Sequence, residues 1–172
     1  MARPMTEALI DSHDAALFDL DGVVYLGSEV VPAAPATMSR LRARGVGVGF
    51  VTNNAARATT VVADQLTDMG IPAAPSDVVS SAEAVTALVA TELGQGTRVL
   101  IAATSNVDDL ARQRGLVPVH SADEHPQAVI QGYDPDIEWS RLEEAAFAVQ
   151  AGAHWYGSNP DMTRPTDRGL VP

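Results

Sequence analysis

Along most of its length the chain alternates short apolar runs with stretches of helical period. That alternation is the strongest constraint on its fold, because strands separated by helices pair in parallel and build an α/β sheet. Strands are predicted at 15–18, 46–51, 77–80, 98–102, 116–119, 128–132 and 154–158, with a short extended flap at 23–27. Helices are predicted at 32–44, with Gly45 as the stop, and at 60–69, with Val62, Leu66 and Met69 inward. A further helix starts at Ser80, whose spacing to Glu83 is that of a capping box; it carries Val85, Leu88, Val89 and Leu93 on one face and closes at Gly94. Another helix runs through Leu110 to Gly115, and the last covers 138–152 with Leu142, Ala145, Ala146 and Val149 inward. A second unit is expected to begin after 94–96. The tail from 159 to 172 reads as a proline-rich loop, so the chain is expected to stop inside a connection.

In open α/β sheets ligands bind at the carboxyl ends of the strands. Two such ends carry chemistry. The first delivers Asp19 and Asp21, one residue apart and followed by Gly22; the second delivers Thr52, Asn53 and Asn54. Two carboxylates this close repel unless a metal, a proton or a phosphate makes use of them. Beside a hydroxyl and amides they suit a site for Mg²⁺ and phosphate, since Mg²⁺ takes hard oxygen donors and bridges carboxylate to phosphate. Asp19 could then attack phosphorus to form an aspartyl-phosphate, while Asp21 protonates the leaving oxygen and later activates water. Gly22 lets the backbone turn closely around the phosphate. The competing readings are a solvated Asp-Gly turn and a helix entry capped by Thr52, Asn53 or Asn54.

Magnitudes argue for the metal. A carboxylate about 4 Å from a dianionic phosphate costs roughly 4 kcal/mol per charge pair at an effective dielectric near 20, about 8 kcal/mol in all. Hydrogen bonds from Thr52 and Asn53 return roughly 1.5–3 kcal/mol each. A divalent cation is needed, preferably with a further protein cation.

Composition narrows the field. The net charge of −11 argues against nucleic acid and anionic membranes as partners. The absence of cysteine removes disulfides, thiolate metal sites and thiol nucleophiles. All 11 basic residues are arginine, so no lysine ammonium is available within these residues. The first fourteen residues lack the apolar core of a secretory signal, and no apolar run is long enough to span a bilayer, so a cytoplasmic location is expected. His13, His120, His125 and His154 have no metal-ligand spacing, and Asp108, Asp109, Glu143 and Glu144 read as solvated helix faces. Trp139, Trp155 and Tyr156 fit packing within the second unit.

The stretches "FDLDGVVY" and "FVTNNAAR" resemble motifs I and II of the haloacid dehalogenase-like phosphatases, in the NagD-like, p-nitrophenylphosphatase branch with a class IIA cap. "AVIQGYDPDIEWSRLEEA" and "SNPDMTRPTDRGLVP" resemble parts of that cap. The resemblance implies a Rossmann-like core, with 1–94 as its first half, and an α/β cap, with 95–172 as most of it, incomplete at its C-terminal end. It implies Asp19 as nucleophile, Asp21 as general acid/base, and both as Mg²⁺ ligands, Asp21 through its backbone carbonyl. Leu20, Gly22, Thr52 and Asn53 fall in the phosphate-binding segments, and Arg164 in the substrate-specificity loop. The family's phosphate-binding lysine and distal Mg²⁺-binding aspartates are expected downstream of the cap, so this chain is expected to be a fragment, nearly inactive alone. The expected activity is Mg²⁺-dependent hydrolysis of a small phosphomonoester such as phosphoglycolate, glycerol 3-phosphate, or a sugar or nucleotide phosphate. The expected partner is a small phosphorylated metabolite, and the cap offers a homodimer surface. Two alternatives stand beside it: a receiver-type phospho-acceptor domain, which the missing lysine disfavours, and a non-catalytic fragment that acts only through the cap.

Overall fold

A computed structural model describes residues 8–166 and 168–171, with the backbone alone at 164–166 and 170–171. Residues 1–7, at the start of the stretch read as lacking a secretory signal, lie outside the described residues, as do Asp167 and Pro172 of the tail. The chain forms two compact units, 1–52 with 58–79, and 53–57 with 80–172. This division is not the one drawn at residue 94, because the helix that starts at Ser81 packs with the second unit.

In the first unit, β1 (Ala15–Asp19), β4 (Gly47–Thr52) and β5 (Val78–Ser80) form a three-stranded sheet in the order β1-β4-β5, with β1 and β4 parallel. The expected flap is a small hairpin of β2 (Tyr25–Leu26) and β3 (Glu29–Val30). Helices α1 (Ala34–Ala43) and α2 (Thr59–Asp68) follow β3 and β4. One face of the sheet is buried: Phe50 and Val78 pack with Leu20, Val24, Met38, Val62 and Leu66.

The second unit holds a four-stranded, all-parallel sheet ordered β7-β6-β8-β9, from β6 (Arg98–Ala102), β7 (Val117–Val119), β8 (Ala128–Gln131) and β9 (His154–Gly157). Both faces are covered, as a parallel sheet requires. Val99, Ile101 and Ile130 pack against α3 (Ser81–Leu93) and α4 (Ser105–Gln113). Leu100, Ala102 and Val129 pack against α5 (Trp139–Gln150). Ser80 caps α3, its hydroxyl accepting from the Glu83 N–H at 3.3 Å.

Two inward stripes differ from expectation. On α3 Leu88 points to solvent while Ala82, Val85 and Val89 are buried. On α5 Ala145 and Ala148 face the sheet, whereas Ala146 and Val149 are exposed. The tail is not simply a loop: Arg164–Thr166 (β10) pairs antiparallel with Gly169–Val171 (β11).

Candidate functional site

Asp19 is the last residue of β1, and its register partner is Val51, one residue before Thr52 at the end of β4. Parallel pairing therefore carries the two predicted strand ends to the same edge of one sheet. Pleating alternates their sides, so Phe50 and Thr52 share the buried face and Asp19 falls with Leu17 and Val51 on the other. Thr52 is buried, at 4 % exposure.

The turn after Asp19 is built from its own backbone. The Leu20 N–H donates to Asp19 Oδ1 at 2.8 Å, which holds the carboxylate against the main chain. The Leu20 carbonyl accepts from the N–H groups of Val23, Val24 and Tyr25, at 3.2, 2.9 and 3.2 Å, and its side chain is fully buried. Asp21 bridges to Tyr25, and the Gly22 N–H donates to the Tyr25 carbonyl at 2.7 Å. Gly22 sits at φ +80°, a left-handed conformation that disfavours any side chain although a Cβ there would meet nothing within 4 Å. Asp19 and Asp21 thus flank a tight, anchored turn whose geometry needs glycine next.

Asn53, the next residue after Thr52, belongs to the second unit. Its side-chain Nδ2 donates to Asp161 Oδ2 at 2.8 Å. Its carbonyl accepts from Ser81 Oγ at 2.8 Å and from Asn159 Nδ2 at 3.2 Å. Asn54 turns inward on the chain, its Oδ1 accepting from the Ala56 N–H at 3.0 Å. Arg164 opens β10, opposite Val171.

Among the described residues, no three His, Asp or Glu side chains gather as a metal-binding group. The donors that fit a divalent cation are the hard oxygens of Asp19 and Asp21, a partial set. No helix of the described residues is long and apolar enough to cross a membrane.

Sequence reasoning missed a polar cluster in the second unit. Asp108 is not on a solvated face: it is buried at 8 % exposure, and its Oδ1 has no hydrogen-bond partner. Beside it stand His120 Nε2 at 3.5 Å and the Arg112 guanidinium, Nη2 at 3.7 Å. Burial pushes the Asp108 carboxyl above the usual range, against the lowering pull of His120, Arg112 and Arg141. Arg141 contacts His120 and donates to the Ile101 carbonyl at 3.0 Å, and Asp108, His120 and Arg141 line a crevice of about 400 Å³. Glu144 is also engaged, accepting from Ser121 Oγ at 3.0 Å and the Ala122 N–H. No motif marks this cluster, because its members come from α4, from the residue after β7 and from α5, far apart in sequence.

Residues 16–117 match the family model of haloacid dehalogenase-like hydrolases. The chain belongs to that family. Similar relatives include a D-glycerol 3-phosphate phosphatase of Mycobacterium tuberculosis, 41 % identical over 96 % of this chain and 46 % of the relative. An acid sugar phosphatase of Staphylococcus aureus is 34 % identical over 93 % of this chain and 61 % of its own length. Among solved structures, a glycerol phosphate phosphatase of Mycobacterium tuberculosis in complex with magnesium superposes with TM-score 0.88 at 42 % identity, over 95 % of this chain and 49 % of that one. A p-nitrophenyl phosphatase of Bacillus subtilis, described as putative, superposes with TM-score 0.84 at 30 % identity, over 93 % and 61 %. The chain therefore spans about half to three-fifths of the length of these relatives. All four carry phosphatase names, and the family of this chain is the one that motifs I and II indicated.

Proposed function

We propose that these 172 residues carry the nucleophile-bearing part of a Mg²⁺-dependent phosphatase for a small phosphomonoester. The observation that supports this best is the parallel register that brings Asp19 and Thr52 to one sheet edge, directly before the Gly22 turn. In this reading an Asp19 carboxylate oxygen attacks phosphorus, the bond from phosphorus to the leaving oxygen breaks, and Asp21 gives that oxygen its proton. Asp21 then takes a proton from water, whose oxygen displaces Asp19 and releases inorganic phosphate. The Leu20–Gly22 turn, the Thr52 hydroxyl and Asn53 hold the phosphate oxygens. Asp19 and Asp21 would hold Mg²⁺, which when bound offsets the phosphate charge that the carboxylates oppose.

The same reading takes 1–94 as the first half of a core and 95–172 as most of a cap that could pair two copies. It places the protein in the cytoplasm, acting on neither nucleic acid nor membrane, with Arg164 in the loop that chooses among substrates. The magnesium complex of the 42 % identical phosphatase and the glycerol phosphate and sugar phosphate activities of the relatives support metal and substrate class. With no lysine in the chain, hydrolysis by these residues alone is expected to be very slow.

The test is binding of inorganic phosphate followed by NMR, with and without Mg²⁺. Phosphate should perturb Leu20, Gly22 and Thr52 only when Mg²⁺ is present, and Asp19→Asn should abolish the response. Binding that ignores both Mg²⁺ and Asp19 would overturn the reading.

A further inference from the structure

Asn53, Asn159 and Asp161 close a ring of hydrogen bonds. The Asn53 side-chain amide donates to Asp161 Oδ2 at 2.8 Å, the Asp161 N–H donates to Asn159 Oδ1 at 2.9 Å, and Asn159 Nδ2 donates back to the Asn53 carbonyl at 3.2 Å. The amide orientations follow from chemistry: a carboxylate and a backbone carbonyl only accept, so both asparagines must present nitrogen to them. Ser81 Oγ adds a second donor to the Asn53 carbonyl at 2.8 Å. Residue 53 is thus fixed through its main chain and its side chain by residues that come from far along the sequence.

A primary amide has two N–H bonds in one plane. When one is committed to Asp161, rotation about the Cβ–Cγ bond is stopped, and the second points in one direction only. The bond to a carboxylate is charge-assisted, and it polarises the amide so that the remaining N–H is a better donor. Asp161 itself is exposed and lies outside any motif of paired carboxylates.

We infer that Asp161 is a positioning residue: it locks the Asn53 amide as a pre-oriented donor for the phosphate oxygens, acting through Asn53 and never touching phosphate. This rests on the proposed phosphatase reading for the identity of the anion, though not for the lock itself. A carboxylate near a phosphate site would on charge alone weaken anion binding, so the inference predicts the opposite of simple electrostatics. Removing Asp161 should loosen phosphate binding although it removes a negative charge.

The experiment uses the ¹⁵N-labelled full chain, with Asp161→Ala, and with Asp161→Asn as the conservative variant that keeps an acceptor oxygen. The first readout is the Asn53 side-chain amide signal, compared across the three proteins. It should move in Asp161→Ala, where the acceptor is gone, and stay near its natural position in Asp161→Asn. An Asn53 signal that is identical in Asp161→Ala and the natural chain would overturn the lock. The second readout is inorganic phosphate titrated in the presence of Mg²⁺. Asp161→Ala should bind about tenfold more weakly, the scale of one lost charge-assisted contact, and Asp161→Asn should recover most of that loss. Equal or tighter binding by Asp161→Ala would overturn the positioning role. If phosphate perturbs nothing in the natural chain, the phosphatase reading fails, and the Asn53 amide signal in the variants alone decides the lock.

Discussion

Leu17 on β1 and Gly49 on β4 are register partners, and Leu17 Cδ2 occupies the space beside Gly49, 2.8 Å from where a Cβ would stand. Leu17 is 73 % exposed, so its side chain is free to swing toward solvent. Gly49→Ala should therefore be near neutral, within about 0.5 kcal/mol, the usual range for surface changes, because the clash is with a movable methyl and alanine loses less backbone entropy on folding. Thermal unfolding of the variant checks this. A loss of several degrees would mean that Leu17 is held rigidly by a covering layer.

The face that Leu17 occupies also carries Val51 and Val79, each more than two-fifths exposed. Parallel sheets are ordinarily covered on both sides, so an apolar face open among the described residues favours association. The chain should show concentration-dependent self-association on size-exclusion chromatography, reduced by Leu17→Gln combined with Val79→Thr. Elution as a monomer at every concentration, unaffected by the double change, would contradict this.

The buried carboxyl of Asp108 gives a pH dependence of definite sign. Burial raises it, Asp109 adds to the rise, and His120, Arg112 and Arg141 oppose it without cancelling it. A carboxyl raised on folding binds protons more readily in the folded chain, so its contribution to stability is present at low pH and is lost as pH rises through the folded value. Asp108→Asn should accordingly gain stability over the natural chain as pH goes from acid to neutral, read as a widening difference in Tm. Repeating the comparison with His120→Asn in both proteins isolates the part that burial plays from the pull of the neighbouring imidazole. A difference that narrows with rising pH would show that the cations outweigh burial.

Much of this was legible in the sequence, for reasons that can be named. β1, β4, β6 and β8 are apolar runs bounded by turn residues, and Asp19 and Thr52 fall at strand ends wherever those runs are strands. Helix faces were less legible. On α5, Phe147 is 57 % exposed while Ala145 and Ala148 are buried, because small side chains let the helix lie close on the sheet, and apolarity alone does not rank a close-packed alanine above a phenylalanine. On α3, likewise, Leu88 is exposed while the smaller Ala82 is buried. The Asn53–Asp161 bond joins residues 108 apart, and Asp108 meets His120 only after β6 and β7 are paired. Neither contact has a local pattern. The β10–β11 hairpin was hidden because prolines read as loop, although an edge strand tolerates Pro165.

The central claim is that Asp19 takes the phosphoryl group and Asp21 handles the protons. The most direct measurement is to incubate the chain with p-nitrophenyl phosphate and Mg²⁺, quench in acid, and locate any phosphoryl group by peptide mass spectrometry. The account predicts a phosphoryl group on Asp19, absent in Asp19→Asn and present at a greater steady level in Asp21→Asn, where water is no longer activated to remove it. A phosphoryl group on any other residue, or p-nitrophenol release that survives Asp19→Asn unchanged, would contradict it.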